Sequence, residues 1–139
     1  MADALTLRVI TPDKIVLDTT ATSIRLPAVD GSMGVLSGHA PMVAALDVGE
    51  LLYTENGQQQ SIFVSGGFAE VRSNTVRIVS EAGERPGDID EARAREAEER
   101  ARKRLDESRG LGAAGSVDIL RAELALRRAR MRLRVKNLR

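Results

Sequence analysis

The 139-residue chain has no cysteine, no tryptophan and a single histidine, and its only other aromatics are Tyr53, Phe63 and Phe68. Without cysteine it has neither disulfide staples nor thiolate metal sites. A lone His39 also rules out the paired-imidazole spacing of a zinc site. No apolar run approaches the ~18 residues a membrane-spanning helix needs. The opening "MADALTLRVI" lacks the basic flank and long apolar core of a secretory signal. Neither sign of charge dominates, since 21 Lys+Arg stand against 20 Asp+Glu. At 42% hydrophobic and 29% charged residues the composition is that of a globular protein rather than a disordered one. These features fit a reducing cytoplasm, and the length suits one or two small domains.

Charge nevertheless divides the chain. Residues 1–83 carry 5 Lys+Arg against 9 Asp+Glu, whereas residues 84–139 carry 16 against 11. Such asymmetry marks units with different partners. In the acidic part the hydrophobic period is two. Leu5, Leu7 and Val9 alternate with Thr6 and Arg8, as in a half-buried strand. Ile24 and Leu26 alternate likewise, until Pro27 limits further pairing. Asn56-Gly57 in "LLYTENGQQQSIFV" and Ser73-Asn74 in "FAEVRSNTVRIVS" are hairpin tips, and Asn-Gly accepts the positive φ of a type I′ turn. Gly66-Gly67 reads as a strand bend. Many short strands with frequent turns predict an antiparallel sandwich or flattened barrel.

The glycine-rich stretch "VDGSMGVLSGHAPMVAAL" holds His39. Ser37 lies nearby, but no orienting acid or oxyanion site is recognisable, so a hydrolase built on this pair is disfavoured. A structural loop whose imidazole bonds locally is the plainer reading.

Near residue 87 the period changes to about 3.6 residues. "GDIDEARAREAEERARKRLDESRG" is rich in strong helix formers. Asp88 as N-cap with Glu91 three residues later predicts a capping box. Ala94, Ala97, Ala101 and Leu105 form a narrow stripe that admits a close neighbour and buries little area. "RGLGAAGS" breaks the helix. A last helix over about 117–136 carries two apolar stripes: Val117, Leu120, Leu124, Met131, Val135 and Leu138 on one side, and Ala122, Leu126, Ala129 and Leu133 nearly opposite. Basic sectors holding Arg121, Arg128 and Arg132, and Arg127, Arg130 and Arg134, lie between them. Such a helix wants two neighbours or alternates between them. The fold class is therefore α+β: an N-terminal antiparallel beta sandwich over 1–86, then a C-terminal two-helix hairpin over 87–139.

The segments "LRVITPDKIV", "GVLSGHAPMVAAL", "FVSGGFAEVRSNTVRIV" and "RAELALRRARMRL", in this order, resemble the epsilon subunits of bacterial F-type ATP synthases over essentially the whole chain. The resemblance implies a beta sandwich, a helical pair and no catalysis by the chain itself. It implies a rotor part that binds the gamma subunit and the c-subunit ring, with helices that act as a brake on ATP hydrolysis among the catalytic beta and alpha subunits. It further implies a peripheral place on the cytoplasmic face of the bacterial plasma membrane, with membrane association only through the complex. "SGHAP" places His39 near gamma, and "VDGSMG" places Asp30, Gly31 and Ser32 toward the c ring. Ser32 stands where several relatives carry an acid.

"IDEARA" is similar to the motif of those epsilon subunits that bind ATP. In that reading Ile89 covers adenine, Asp90 accepts from its exocyclic amine, and Arg93, Arg128 and Arg132 take the phosphates. No cofactor is required, and a regulatory ATP, with or without Mg²⁺, is the implied ligand. The same residues read equally well as a capped helix start, with Arg93 paired to a nearby acid. The inhibitory helix is expected to present Arg121, Arg127, Arg128, Arg130, Arg132 and Arg134. Residues 117–139 hold eight bases and two acids, suited to an acidic surface on the beta subunit. The rival class is a nucleic-acid-binding module using the same helix. Against it, acids dilute the first helix and no aromatics interleave with the bases.

Overall fold

A computed structural model describes residues 4–110 and 116–137. The chain divides into two compact units, 1–86 and 87–139. The first holds ten strands: β1 (Leu5–Ile10), β2 (Ile15–Ala21), β3 (Ser23–Ala28), β4 (Gly31–Leu36), β5 (Met42–Ala45), β6 (Val48–Glu55), β7 (Gln58–Ser65), β8 (Phe68–Arg72), β9 (Thr75–Val79) and β10 (Gly83–Glu84). They form two five-stranded sheets, ordered β2-β1-β9-β8-β5 and β10-β7-β6-β3-β4. Pairing is antiparallel except between β1 and β9. The fold is thus a beta sandwich, as the alternation predicts.

The inward parity of each strand builds one core. Leu5, Leu7 and Val9 of β1 meet Val76 and Ile78 of β9 and Ala69 and Val71 of β8, and all are buried. From the other sheet come Ile24, Leu26, Val35, Leu51, Tyr53, Ile62 and Val64. Both expected hairpin tips form. Asn56 and Gly57 have φ of 52° and 77°, and Ser73 and Asn74 have 49° and 58°. Pro27 acts on one side only. Pairing of β3 with β6 stops at Arg25, while pairing with β4 runs on through Pro27 opposite Ser32 to Ala28 opposite Gly31. A Cβ on Gly49 of β6 would lie 2.4 Å from the Pro27 ring, so the ring occupies the space a side chain there would need.

The second unit is two helices, α1 (Glu91–Arg109) and α2 (Ser116–Asn137). They run antiparallel: Arg130 of α2 meets Glu98 of α1 at 3.3 Å, and, behind Arg95, Asn137 near the end of α2 helps lower the pKa of Glu91 at the start of α1. The seam is Ala101 and Leu105 against Ala122 and Leu126, with Ile119 and Ala125 beside them. Gly110 caps α1 in the right-handed region, its N–H donating to Glu107 O. The rest of the expected breaker, residues 111–115, lies outside the described residues.

One expectation is corrected here. Asp88 is not the N-cap; it closes a short 3-10 turn, Pro86–Asp88. Asp90 caps α1, its side chain accepting from Arg93 N at 3.1 Å. The shift of two puts Arg93 rather than Glu91 at the third helical position, so no capping box forms. The reason is apolar. Ile89 precedes the cap and Ala94 is the fourth helical residue, and both are buried, the spacing of a hydrophobic staple. An Asp88 cap would instead place Ile89 inside the first turn.

Candidate functional site

The nucleotide candidates fall toward one end of the hairpin, where the start of α1 lies beside the later turns of α2. Asp90 spends one carboxylate oxygen on the cap, and a carboxylate has about four acceptor positions, so its outer oxygen keeps accepting capacity. Ile89 is 3% exposed; its side chain supports the cap from beneath instead of lying open to a planar base. Arg93 is exposed, and its guanidinium makes no ion pair with another described residue. Nearby Glu91 is held instead by Arg95 at 2.8 Å. Arg95, with Asn137 and Lys136 of α2 behind it, keeps the Glu91 carboxyl below its ordinary range.

On α2, Arg128 and Arg132 are half-buried and one turn apart. Arg121, Arg128 and Arg132 recur at intervals of seven and four residues, and so do Arg93, Arg100 and Arg104 on α1. Equal spacing puts each trio on one helix side. Arg100, Arg104 and Arg121 line one cleft between the helices, so both rows border the same side of the hairpin. Arg130 leaves the other side to meet Glu98. Arg127 and Arg134 are exposed, away from the seam.

The two apolar stripes of α2 have separate fates. Ala122, Leu126 and Ala129 are buried along the hairpin, with Leu133 half-buried. On the opposite stripe Leu120 is 67% and Leu124 42% exposed, while Val135 is buried. The side chains of Val117 and Leu138 lie outside the described residues.

In the sandwich, His39 sits in the turn between β4 and β5. Its Nδ1 lies 2.7 Å from Ala40 O, which requires that nitrogen to carry the proton and leaves Nε2 facing outward. The turn is pinned by Gly38 N donating to Asn74 Oδ1 at 2.8 Å, tying it to the β8–β9 hairpin. Asp30 ends the tight turn joining β3 to β4, followed by Gly31 at φ 130°. Ser32 Oγ accepts from Arg25 Nη1 at 3.1 Å. All three c-ring candidates are exposed. Next to them Val29 exposes an apolar side chain, and Leu36 does so at the other end of the β3–β4 hairpin, opposite Ser23.

A further surface escaped the sequence reading. On the outer face of the first sheet, Ala45 of β5 pairs with Phe68 of β8, Phe68 with Val79 of β9, and Val79 with Ile10 of β1. The result is an apolar row across four strands, with Phe68 41% and neighbouring Val43 66% exposed. Parity could have revealed it. In "FAEVRSNTVRIV" the core takes Ala69, Val71, Val76 and Ile78, so Phe68 and Val79 are out of phase.

Among the described residues no helix is long and apolar enough to cross a membrane, and no group of three or more potential metal ligands gathers.

The chain matches two family models: "ATP synthase, Delta/Epsilon chain, beta-sandwich domain" over residues 4–86, and "ATP synthase, Delta/Epsilon chain, long alpha-helix domain" over residues 88–137. It is 43% identical over 136 residues to an ATP synthase epsilon chain of Nitratidesulfovibrio vulgaris, covering 98% of each chain. To that of Symbiobacterium thermophilum it is 45% identical, covering 96% of this chain and 93% of the other. Among solved structures, a chain of the Euglena gracilis mitochondrial ATP synthase OSCP/F1/c-ring structure superposes with a TM-score of 0.75 at 26% identity. That match covers 91% of this chain and 78% of the other. With both units matched and the relatives aligned nearly end to end, the chain belongs to the ATP synthase delta/epsilon-chain family, as an epsilon chain.

Proposed function

We propose that the protein is a non-catalytic rotor subunit in the central stalk of an F-type ATP synthase, whose helical unit brakes ATP hydrolysis and responds to nucleotide. The sandwich is the anchor. Its apolar row through Phe68 and Val79, with the pinned His39 turn toward the other end of the same strands, suits a protein partner such as gamma, since exposed apolar surface of this kind marks interfaces. The β3–β4 tip with Asp30, Gly31 and Ser32, flanked by Val29, suits the c ring. The complex would hold the protein at the cytoplasmic face of the membrane without a span of its own.

The observation that carries the brake is the thinness of the hairpin seam. Its two buried leucines contribute about 1.5–3 kcal/mol each, and the opposing alanines add little. α2 meanwhile exposes Leu120, Leu124 and a run of arginines to a second partner. An acidic groove on the catalytic beta and alpha subunits complements that face. A ligand present at about 100 times its Kd adds roughly 2.7 kcal/mol to the state it binds, comparable with the seam itself. ATP held by Asp90, Arg93, Arg128 and Arg132 would therefore favour the closed hairpin, because the two helices supply these groups together only when paired. Ile89 fixes the cap that positions Asp90.

Two measurements test the proposal. In the assembled synthase, removing residues 88–139 should leave assembly intact and raise ATP hydrolysis; unchanged hydrolysis would remove the brake. In calorimetry on the isolated protein, ATP should bind, and Arg93→Ala or Arg128→Ala should weaken it about tenfold, the scale of one charge-assisted hydrogen bond. Equal affinity in the variants would remove the grip. The nucleic-acid module has no observation of its own in its favour, and the family match speaks for the rotor.

A further inference from the structure

The turn that carries His39 runs from Leu36 to His39 and is closed by His39 N donating to Leu36 O at 3.2 Å. Gly38 holds its third position at φ +84°, which makes the turn type II. A Cβ on Gly38 would meet nothing within 4 Å, so the backbone angle, not crowding, calls for glycine there. Packing does little to hold such a turn, since Gly38 and Ala40 are both exposed. The internal bond of a type II turn uses the N–H of its last residue. The N–H of its third residue has to find a partner elsewhere.

Asn74 supplies that partner, its Oδ1 accepting from Gly38 N at 2.8 Å. The backbone oxygen of the same residue accepts from Thr6 N, also at 2.8 Å, so β1 fixes Asn74 in turn. Asn74 has φ 58°, in the left-handed region that favours glycine, asparagine and aspartate. Glycine would serve the β8–β9 tip equally well but brings no side-chain acceptor. Asparagine at this position therefore answers to the His39 turn rather than to the hairpin that contains it. A line of bonds runs from Thr6 through Asn74 to Gly38, and the next residue, His39, has its imidazole held by Ala40 O.

We infer that Asn74 is a positioning residue, holding the His39 turn in its docking shape before the partner arrives. The inference rests on the reading that this turn meets gamma. Asn74 acts through Gly38 and requires no contact of its own with gamma. A loop already in its bound shape avoids the ordering cost of association. A loop that visits the shape only part of the time binds more weakly by that fraction. Loosening the turn thus lowers affinity even where the sandwich stays intact.

The test compares full-length wild type with Asn74→Gly, Asn74→Asp and His39→Ala. Two quantities are measured: amide hydrogen exchange by NMR, and affinity for the synthase core depleted of this chain. Asn74→Gly keeps the positive φ and deletes the acceptor, whereas Asn74→Asp keeps both. In Asn74→Gly the Gly38 amide should exchange about two- to tenfold faster and docking should weaken by a similar factor, the scale of one neutral hydrogen bond. Asn74→Asp should stay within about twofold of wild type in both, because its carboxylate also accepts. Unchanged Gly38 exchange in Asn74→Gly overturns the inference, as does faster exchange with wild-type affinity or a failed rescue by Asn74→Asp. If His39→Ala weakens docking while Asn74→Gly does not, the positioning role alone has failed. If neither variant weakens docking, the reading of the turn as a gamma contact has failed with it. Should Asn74→Gly lose sheet signal in circular dichroism, wild type still decides: a Gly38 amide exchanging at the rate of an open chain overturns the inference.

Discussion

At the scale of single residues, the start of α1 shows how two neighbouring acids divide their labour. Asp90 caps Arg93 N, and Asp88 only closes the preceding turn. Asp90→Ala should therefore cost about 1 kcal/mol of stability, whereas Asp88→Ala should cost a few tenths at most. Urea unfolding of the two variants checks the order, and the reverse order would restore the capping box at Asp88. The sequence shows that a helix begins here, but both acids satisfy the cap rule. Only the burial of Ile89, a tertiary fact, decides between them. Glu91 carries a pH consequence. Its carboxyl is held below the ordinary value of 4.5, chiefly by Arg95. A depressed carboxylate contributes stability above its unfolded pKa and loses it as pH falls through the folded value. The contribution should thus be intact at neutral pH and vanish on the acid side of 4.5. In an NMR titration the Glu91 midpoint should rise toward the ordinary value in Arg95→Ala; an unmoved midpoint would exclude Arg95 as the cause. Gly67 is the strictest backbone position. Its φ is +90°, and a Cβ there would lie 1.9 Å from Val79 O. Gly67→Ala should cost at least about 2 kcal/mol from strain and displacement together. The bend was readable from the glycine pair; which of the two glycines touches a neighbouring strand was not.

At the scale of elements, parity and period carried most of the fold. Leu5, Leu7 and Val9 announced which face of β1 is buried, and Asn56-Gly57 announced the tightest hairpin. The pairing of β1 with β9 was illegible, because a parallel pair between strands some 70 positions apart leaves no local mark. The same limit applied to the face through Phe68 and Val79, where the apolar signal sits in the polar phase. On α2 the two stripes were legible, but their ranking was not. Periodicity treats Leu124 and Leu126 alike, yet Leu126 is buried in the seam and Leu124 is 42% exposed. Leu126→Ala should lower the stability of the helical unit by about 2–3 kcal/mol, the lower part of the range for a buried leucine. Leu124→Ala should stay within about 0.5 kcal/mol in the isolated protein. In the assembled synthase the order should invert, Leu124→Ala relieving inhibition of ATP hydrolysis if that stripe meets the catalytic subunits. Equal effects of the two variants on isolated stability would mean the hairpin does not pair through this seam.

At the scale of the molecule, the two units differ in how each is held. The sandwich has a continuous core drawn from both sheets, all of it within residues 5–78. The helical unit has a shorter cluster at Ala101, Leu105, Ala122 and Leu126, with Ile89, Ala94, Ala129 and Val135 also buried. Charge separates them as well, acids prevailing in the first and bases in the second. A fragment of residues 1–86 keeps the full strand complement, including β10, and should fold alone. About 86 residues is enough for one cooperative core. In urea the intact chain should then show two transitions. The one followed by far-UV helix signal should come first, and the one followed by Tyr53 fluorescence should coincide with that of the fragment. ATP should raise the midpoint of the helical transition and leave the sandwich transition in place, because a ligand stabilises only the unit that binds it. A single transition shared by both signals, shifted as one by ligand, would show the units to be energetically fused. The arm could then not move without unfolding its anchor, and the braking mechanism would fail with it.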